Sequence, residues 1–295
     1  ARMAVEPEGA FLEPDRAVAD LLDQLQRMAD QQQGLAAAEE FLDAAQAAVG
    51  EGFVADRGSA SFLQTPAWAK VKPEWRAETV GFFDAAGLTG VGLVLYRRLP
   101  KLRRYLAYLP EGPVLDWARG DVVDHLDALV RYARSRKAFA VRIGPTIAHR
   151  RWYADTIKAA VADPEITRLS QAVPDAADLA ATRLQNELLH AGWSTDEHGE
   201  GFAAGQPKFN FQLPLRRADG TQKTEDELLK GMNQLWRRNI KKAEKEGVVV
   251  RLGERADLAR FHEVYRETAE RDGFTGRSLS YFETMWDALN AEEDG

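Results

Sequence analysis

The sequence has 295 residues, 45% hydrophobic and 29% charged, with no cysteine and a net charge of −7. At roughly 150 residues per domain this length suggests about two domains, and the apolar share suffices for a sizeable core. The missing thiol excludes disulfides, thiolate catalysis and Cys-ligated metal centres, while the lack of a ~20-residue apolar run or a leader-like start makes a soluble, cytoplasmic protein the expectation.

Residues 1–50 read as a helical hairpin extension rich in acid (Asp15, Asp20, Asp23, Asp30, Glu39, Glu40, Asp43). Val18, Leu21, Leu25 and Met28 lay one apolar stripe, Gln31 to Gly34 break it, and Leu35, Phe41, Leu42, Ala45 and Val49 lay a second. Two narrow seams cover each other as an antiparallel pair. A packing or oligomerisation element is the plain reading, and an arm touching tRNA the sharper one.

Residues 51–170 read as a first mixed α/β subdomain. After the compact stretch Phe62 to Lys72, β-rich runs at 78–83 and 90–96 flank Asp84-Ala85-Ala86-Gly87, a hairpin signal. A strand follows from Tyr105 to Leu109, then Pro110-Glu111-Gly112-Pro113. Val122, Val123, Leu126, Leu129, Val130 and Ala133 predict a helix over 120–137. Ala138 to Ile143 reads as a buried strand, halted by Gly144-Pro145.

Residues 171–295 read as a second subdomain. A helix is expected over 175–191, a polar loop over 194–207 and an edge strand from Lys208 to Leu215. Thr224-Glu225-Asp226-Glu227 is a capping box opening a helix to 246, with Leu228, Met232, Leu235, Trp236 and Ile240 on its inner side and Gly247 closing it. Val248 to Val250 reads as a short strand, with helices near 255–271 and 278–290. Two strands are too few for a closed sheet, so 295 reads as the end of a fragment, with the second subdomain incomplete.

Motifs that carry chemistry are few. Gly87-Leu88-Thr89-Gly90-Val91-Gly92 has the glycines of a phosphate loop but strand pattern on both sides, so a tight hairpin is preferred. His125, His149, His190, His198 and His262 lack metal-ligand spacing, and no GxSxG elbow or Walker loop occurs. Cations gather at 97–104 and on the outward side of helix 224–246, where Arg238, Lys241, Lys242 and Lys245 share one face beside Arg237. Either group could meet a polyanion or simply be solvated.

Six ordered blocks resemble the Fem family of peptidoglycan-bridge aminoacyltransferases. They are Ser59 to Lys72, Tyr108 to Asp116, Val141 to Pro145, Phe209 to Leu213, Arg237 to Val248 and Gly276 to Phe282. The resemblance implies an α/β (α+β) fold of two GNAT-like subdomains with mixed sheets. It implies transfer of an amino acid from aminoacyl-tRNA to the stem peptide of UDP-MurNAc-pentapeptide or its lipid-linked form, with no metal or cofactor beyond that co-substrate. A peripheral contact with the inner membrane face is a further implied partner. By position, Lys72, Arg277 and Tyr281 match residues that hold the nucleotide-linked peptide, and a cleft between the two halves is expected to gather them. Arg237, Arg238, Lys241, Lys242 and Lys245 would face tRNA phosphates. Similar enzymes can carry an Asp after the strand corresponding to 138–143; Gly144 stands there, so the catalytic residue is unassigned. A non-catalytic precursor-binding or scaffold protein of the same fold is the alternative, and a GNAT-like acyltransferase using another donor a third reading.

Overall fold

The computed structural model describes residues 60–195 except 86, and residues 206–291 except 208. The expected hairpin over 15–49 and His198 lie outside the described residues. Those described divide into two compact units, one up to Gln206 together with Ala288 onward, the other Pro207–Asp287.

The first unit is a mixed sheet covered by helices. Helix α1 (Pro66–Lys70) starts on a proline at its first position, where the missing N–H costs nothing. Strands β1 (Arg76–Asp84) and β2 (Gly87–Arg98) form the expected antiparallel hairpin, with an irregularity between Phe82 and Phe83. Its glycines serve sheet packing, not phosphate. Gly87 takes φ 124° at the turn, and a Cβ on Gly90 would overlap the Leu115 side chain.

β2 is central. It pairs with β3 (Tyr105–Leu109) through Leu95 to Arg98 and with β4 (Val114–Leu115) through Gly90 and Val91. Helix α2 (Val122–Ser135) then returns the chain to β5 (Ala138–Ile143), parallel to β3. The sheet order is β1-β2-β3-β5. Because both faces of β2 are covered, Gly90 to Tyr96 form one buried run, not an alternation. Val94 and Tyr96 pack with Leu126, Leu129 and Ala133 of α2; the alternate residue Val91 packs with Val114 in a second cluster.

Four short elements were not anticipated: α1, β4, helix α3 (Ala154–Ala162), and the two-stranded pairing of β6 (Arg150–Arg151) with β7 (Ala176–Ala177). Helix α4 (Leu179–His190) forms as expected, capped by Asp178 and contributing Leu184 to the main core.

The second unit departs further from expectation. The single helix over 224–246 is two, α5 (Glu225–Gly231) and α6 (Gln234–Lys245). Asn233 breaks them: its side chain accepts from Trp236 N at 2.9 Å and so caps a new helix directly after Gly231. Leu235 and Trp236, expected inside, are 54% and 60% exposed. Among the described residues the strands expected over 208–215 and 248–250 do not form. Leu215 O accepts from Lys223 N at 2.9 Å and an isolated bridge joins Arg216 to Gln222 just beyond the first segment, while Val248 N turns back to Ala243 O at 3.0 Å. Alternating apolar residues make a strand only where a partner completes the ladder. Helices α7 (Leu258–Asp272) and α8 (Leu279–Asn290) follow the expected positions within a few residues.

Candidate substrate-binding and tRNA-facing sites

Three of the sequence blocks meet at one buried side chain. Gln64, 3% exposed, closes a short 3-10 turn that Ser61 caps. Its Nε2 donates to Pro110 O at 2.6 Å, and its Oε1 accepts from Leu93 N at 3.0 Å. Leu93 lies between the part of β2 paired with β4 and the part paired with β3, where no strand neighbours it on that side; the amide of Gln64 stands in for the missing ladder. Glycine at 112 permits this close approach, since a Cβ there would overlap the Gln64 amide. Gly144 N then donates to Gly112 O at 3.3 Å, joining the end of β5 to the same knot.

Lys72 leaves α1 on this scaffold. Its Nζ lies 5.3 Å from the centroid of Trp68, within cation–π range. Its carbonyl accepts from Trp75 N at 2.9 Å, and the Trp75 ring lies 6.4 Å from that of Tyr108. Burial raises the pKa of the Tyr108 phenol, opposed by a hydrogen bond from Gln206 and the charge of Arg142; Glu111 adds a small upward push. Glu111 itself holds φ 51°, an uncommon conformation for a side chain of its size. Sequence reasoning singled out neither Tyr108 nor Glu111; the signal was their place in the block Tyr108 to Asp116. At Gly144 an added Cβ would press on Gln206 at 3.1 Å.

In the second unit the turn between α7 and α8 builds a pocket of about 390 Å³, lined by Tyr265, Phe274, Arg277 and Ser278 among others. Gly273 ends α7 at φ 72°, and Phe274 N reaches back to Ala269 O at 3.1 Å. Two side chains of α7 hold the backbone of Arg277: Tyr265 OH accepts from its N–H at 3.2 Å, and His262 Nε2 lies 3.0 Å from its carbonyl oxygen. A Cβ on Gly276 would come 3.1 Å from the Tyr265 ring, so the glycine permits this close approach. Ser278 Oγ accepts from Tyr281 N at 3.3 Å, which starts α8 and sets Tyr281 one turn beyond. The Arg277 guanidinium then lies 5.2 Å from the Tyr281 ring centroid. A guanidinium so positioned still has in-plane N–H donors able to grip a phosphate or carboxylate in two places.

The structure brings Arg277 and Tyr281 together. Lys72 belongs to the first unit, and its surroundings there are those given above. His262 and Tyr265, which hold the loop, were not anticipated. On α6, Arg238, Lys241, Lys242 and Lys245 are exposed. Arg237 donates to Lys230 O at 3.2 Å, and Lys242 lies 3.7 Å from Glu246. Cations at a helix C-terminus also complement its dipole.

The described histidines act locally. His125 meets Thr89 and the Asp121 carbonyl, His149 meets Thr182, and His190 meets the Asn186 carbonyl. Among the described residues no cluster of His, Asp or Glu could hold a metal ion, and no helix is long and apolar enough to cross a membrane.

The chain is 28% identical over 247 residues to the lipid II:glycine glycyltransferase of Staphylococcus aureus strain MRSA252, covering 83% of this chain and 51% of the relative. The protein of that name from strain N315 matches to the same extent. A crystal structure of FemX aligns with a TM-score of 0.58 and 26% identity, over 84% of this chain and 54% of that one. The chain spans about half the length of the curated relatives it matches. A family model described as the FemAB family matches residues 48–293. By that match, over most of its length, the chain belongs to the FemAB family.

Proposed function

We propose that the protein is an aminoacyltransferase of peptidoglycan cross-bridge formation, carrying an amino acid from aminoacyl-tRNA to an amine of a precursor's stem peptide at the cytoplasmic side of the membrane. The observation that carries this reading is the kinship with lipid II:glycine glycyltransferases, whose name gives a lipid-linked acceptor. The lipid-linked precursor is accordingly favoured over the soluble nucleotide-linked form.

The pocket under Arg277 supports it. A precursor of either form carries a diphosphate, and a guanidinium carried on a tethered backbone beside a phenol suits a diphosphate, with Arg277 as the bidentate donor and Tyr281 as both platform and hydroxyl donor. In the first unit, Lys72 beside Trp68 is proposed to bind the precursor as a point-like cation. In the reaction the amine attacks the aminoacyl ester, the new amide forms, and the tRNA leaves as its free terminal hydroxyl. Holding amine against ester supplies much of the rate. The exposed cations of α6, Arg238, Lys241, Lys242 and Lys245 with Arg237, would take tRNA phosphates, a contact that weakens with salt.

Gly144 favours a second reading, a precursor-binding protein without transfer activity, because no carboxylate stands at that position. Incubation of the whole natural protein with charged tRNA and lipid II separates the two. Extended stem peptide supports the transferase, whereas precursor binding without product supports the second reading.

A further inference from the structure

One edge of the first unit carries charge opposite to that of the whole molecule. From Ala85 to Pro110 the sequence has five cations, Arg97, Arg98, Lys101, Arg103 and Arg104, and no acid, in a chain of net charge −7. The β2–β3 turn presents them. Leu99 N bonds Arg104 O at 3.0 Å and Lys101 takes φ 65°, so the turn projects beyond the sheet with Arg98, Lys101, Arg103 and Arg104 exposed. Tyr105 N donates to Lys137 O at 3.2 Å, which sets the end of α2, with Arg134 and Lys137 exposed, beside the same turn. Among the described residues no carboxylate lies within ion-pair distance of any of these six side chains; Arg136, by contrast, is taken up by Glu78.

Two large apolar side chains stand exposed among the cations. Leu102, at the tip, is 56% exposed. Phe139 is 54% exposed because the β3–β5 register slips there: Tyr105 pairs with Ala138 but Leu106 with Ala140, leaving Phe139 opposite no residue, while Ala138 packs into the core. A polyphosphate chain would use the cations but offer nothing to a leucine and a phenylalanine. An anionic bilayer surface uses both, with guanidinium and ammonium groups among the headgroups and the apolar tips in the acyl boundary.

We propose that the β2–β3 turn and the α2–β5 corner form a docking surface for anionic membrane lipid. It goes beyond the transferase reading and does not depend on it. The test is sedimentation of the whole chain with vesicles of phosphatidylglycerol and phosphatidylcholine against vesicles of phosphatidylcholine alone, with neither tRNA nor precursor present, so failure here leaves the transfer assay untouched. Binding is expected only with the anionic lipid and falls with salt. At about fivefold per cation, Lys101→Gln with Arg103→Gln weakens partition about 25-fold. Leu102→Ser weakens it up to about tenfold while preserving the salt dependence. All three positions are exposed, and an unchanged circular dichroism spectrum shows the variants fold. Equal binding to both vesicle types, or binding indifferent to these substitutions, overturns the proposal. So does binding of bulk tRNA that the double variant abolishes without any vesicle binding, which would assign the surface to RNA.

Discussion

Replacing Gln64 with alanine removes the one side chain that completes β2 between its two neighbouring strands. The substitution leaves Leu93 N–H and Pro110 C=O buried without their partner, at about 1–3 kcal/mol each. A loss of about 2–6 kcal/mol is therefore expected, which at roughly 2–4 °C per kcal/mol is a fall in Tm of at least about 4 °C. Urea titration read by circular dichroism measures the loss directly. The companion variant Gly112→Ala should cost about 1–3 kcal/mol alone, through overlap with the Gln64 amide, and less when Gln64 is already alanine. The pair should thus be non-additive by about 1 kcal/mol or more. A loss below about 1 kcal/mol for Gln64→Ala, or strict additivity of the two, would refute the claim that this amide stands in for a strand.

Other outcomes follow from the sites. The Glu227 carboxyl is held down to about 2, first by Arg217 and then by the Thr224 amide and hydroxyl. Because its folded value lies below its ordinary one, the capping contribution is present above about pH 4.5 and lost as pH falls towards 2; NMR titration of Glu227 together with amide exchange in α5 checks this, and an ordinary carboxyl titration would contradict it. Lys72→Ala and Arg277→Ala should each weaken precursor affinity about tenfold or more in calorimetry, with no change in either variant ruling out the site assignment. Lys241→Gln with Lys242→Gln should reduce the salt slope of tRNA binding by about 1–2, roughly uniformly across tRNA sequences, and an unchanged slope would remove α6 from that interface. Tyr96 is 1% exposed; burial first, and then the nearby Glu78 carboxylate, push the pKa of its phenol up, so an alkaline ultraviolet titration should leave this phenol protonated after exposed tyrosines have ionised.

Where a local pattern suffices, the elements were readable from residues alone. The β1–β2 hairpin was marked by Asp84 to Gly87 between two β-rich runs, and α2 by apolar residues that the structure buries at Val122, Leu126, Leu129 and Ala133. Helix α3 left no such stripe, since among its residues only Ala160 is buried. The split between α5 and α6 turned on Asn233, whose capping bond outcompeted continuation of the helix. The segments at 209–215 and 248–250 show why alternation is incomplete evidence: a strand is a property of two segments, and the second cannot be read from the first. Gln64 lay inside a recognisable block, yet its partners stand 29 and 46 residues away, beyond any periodicity. Arg277 and Tyr281 were legible only through resemblance. Nothing local showed that Tyr265 and His262 would fix the loop that carries Arg277.

The proposed activity is transfer of an amino acid onto a peptidoglycan precursor. It is tested most directly by mass spectrometry of lipid II after incubation with the whole natural protein and tRNA charged with single amino acids in turn. The account expects the stem peptide to gain the mass of one residue with one charged tRNA, and Arg277→Ala to suppress that gain. An unmodified stem peptide with every charged tRNA, from protein that still binds lipid II, would contradict it.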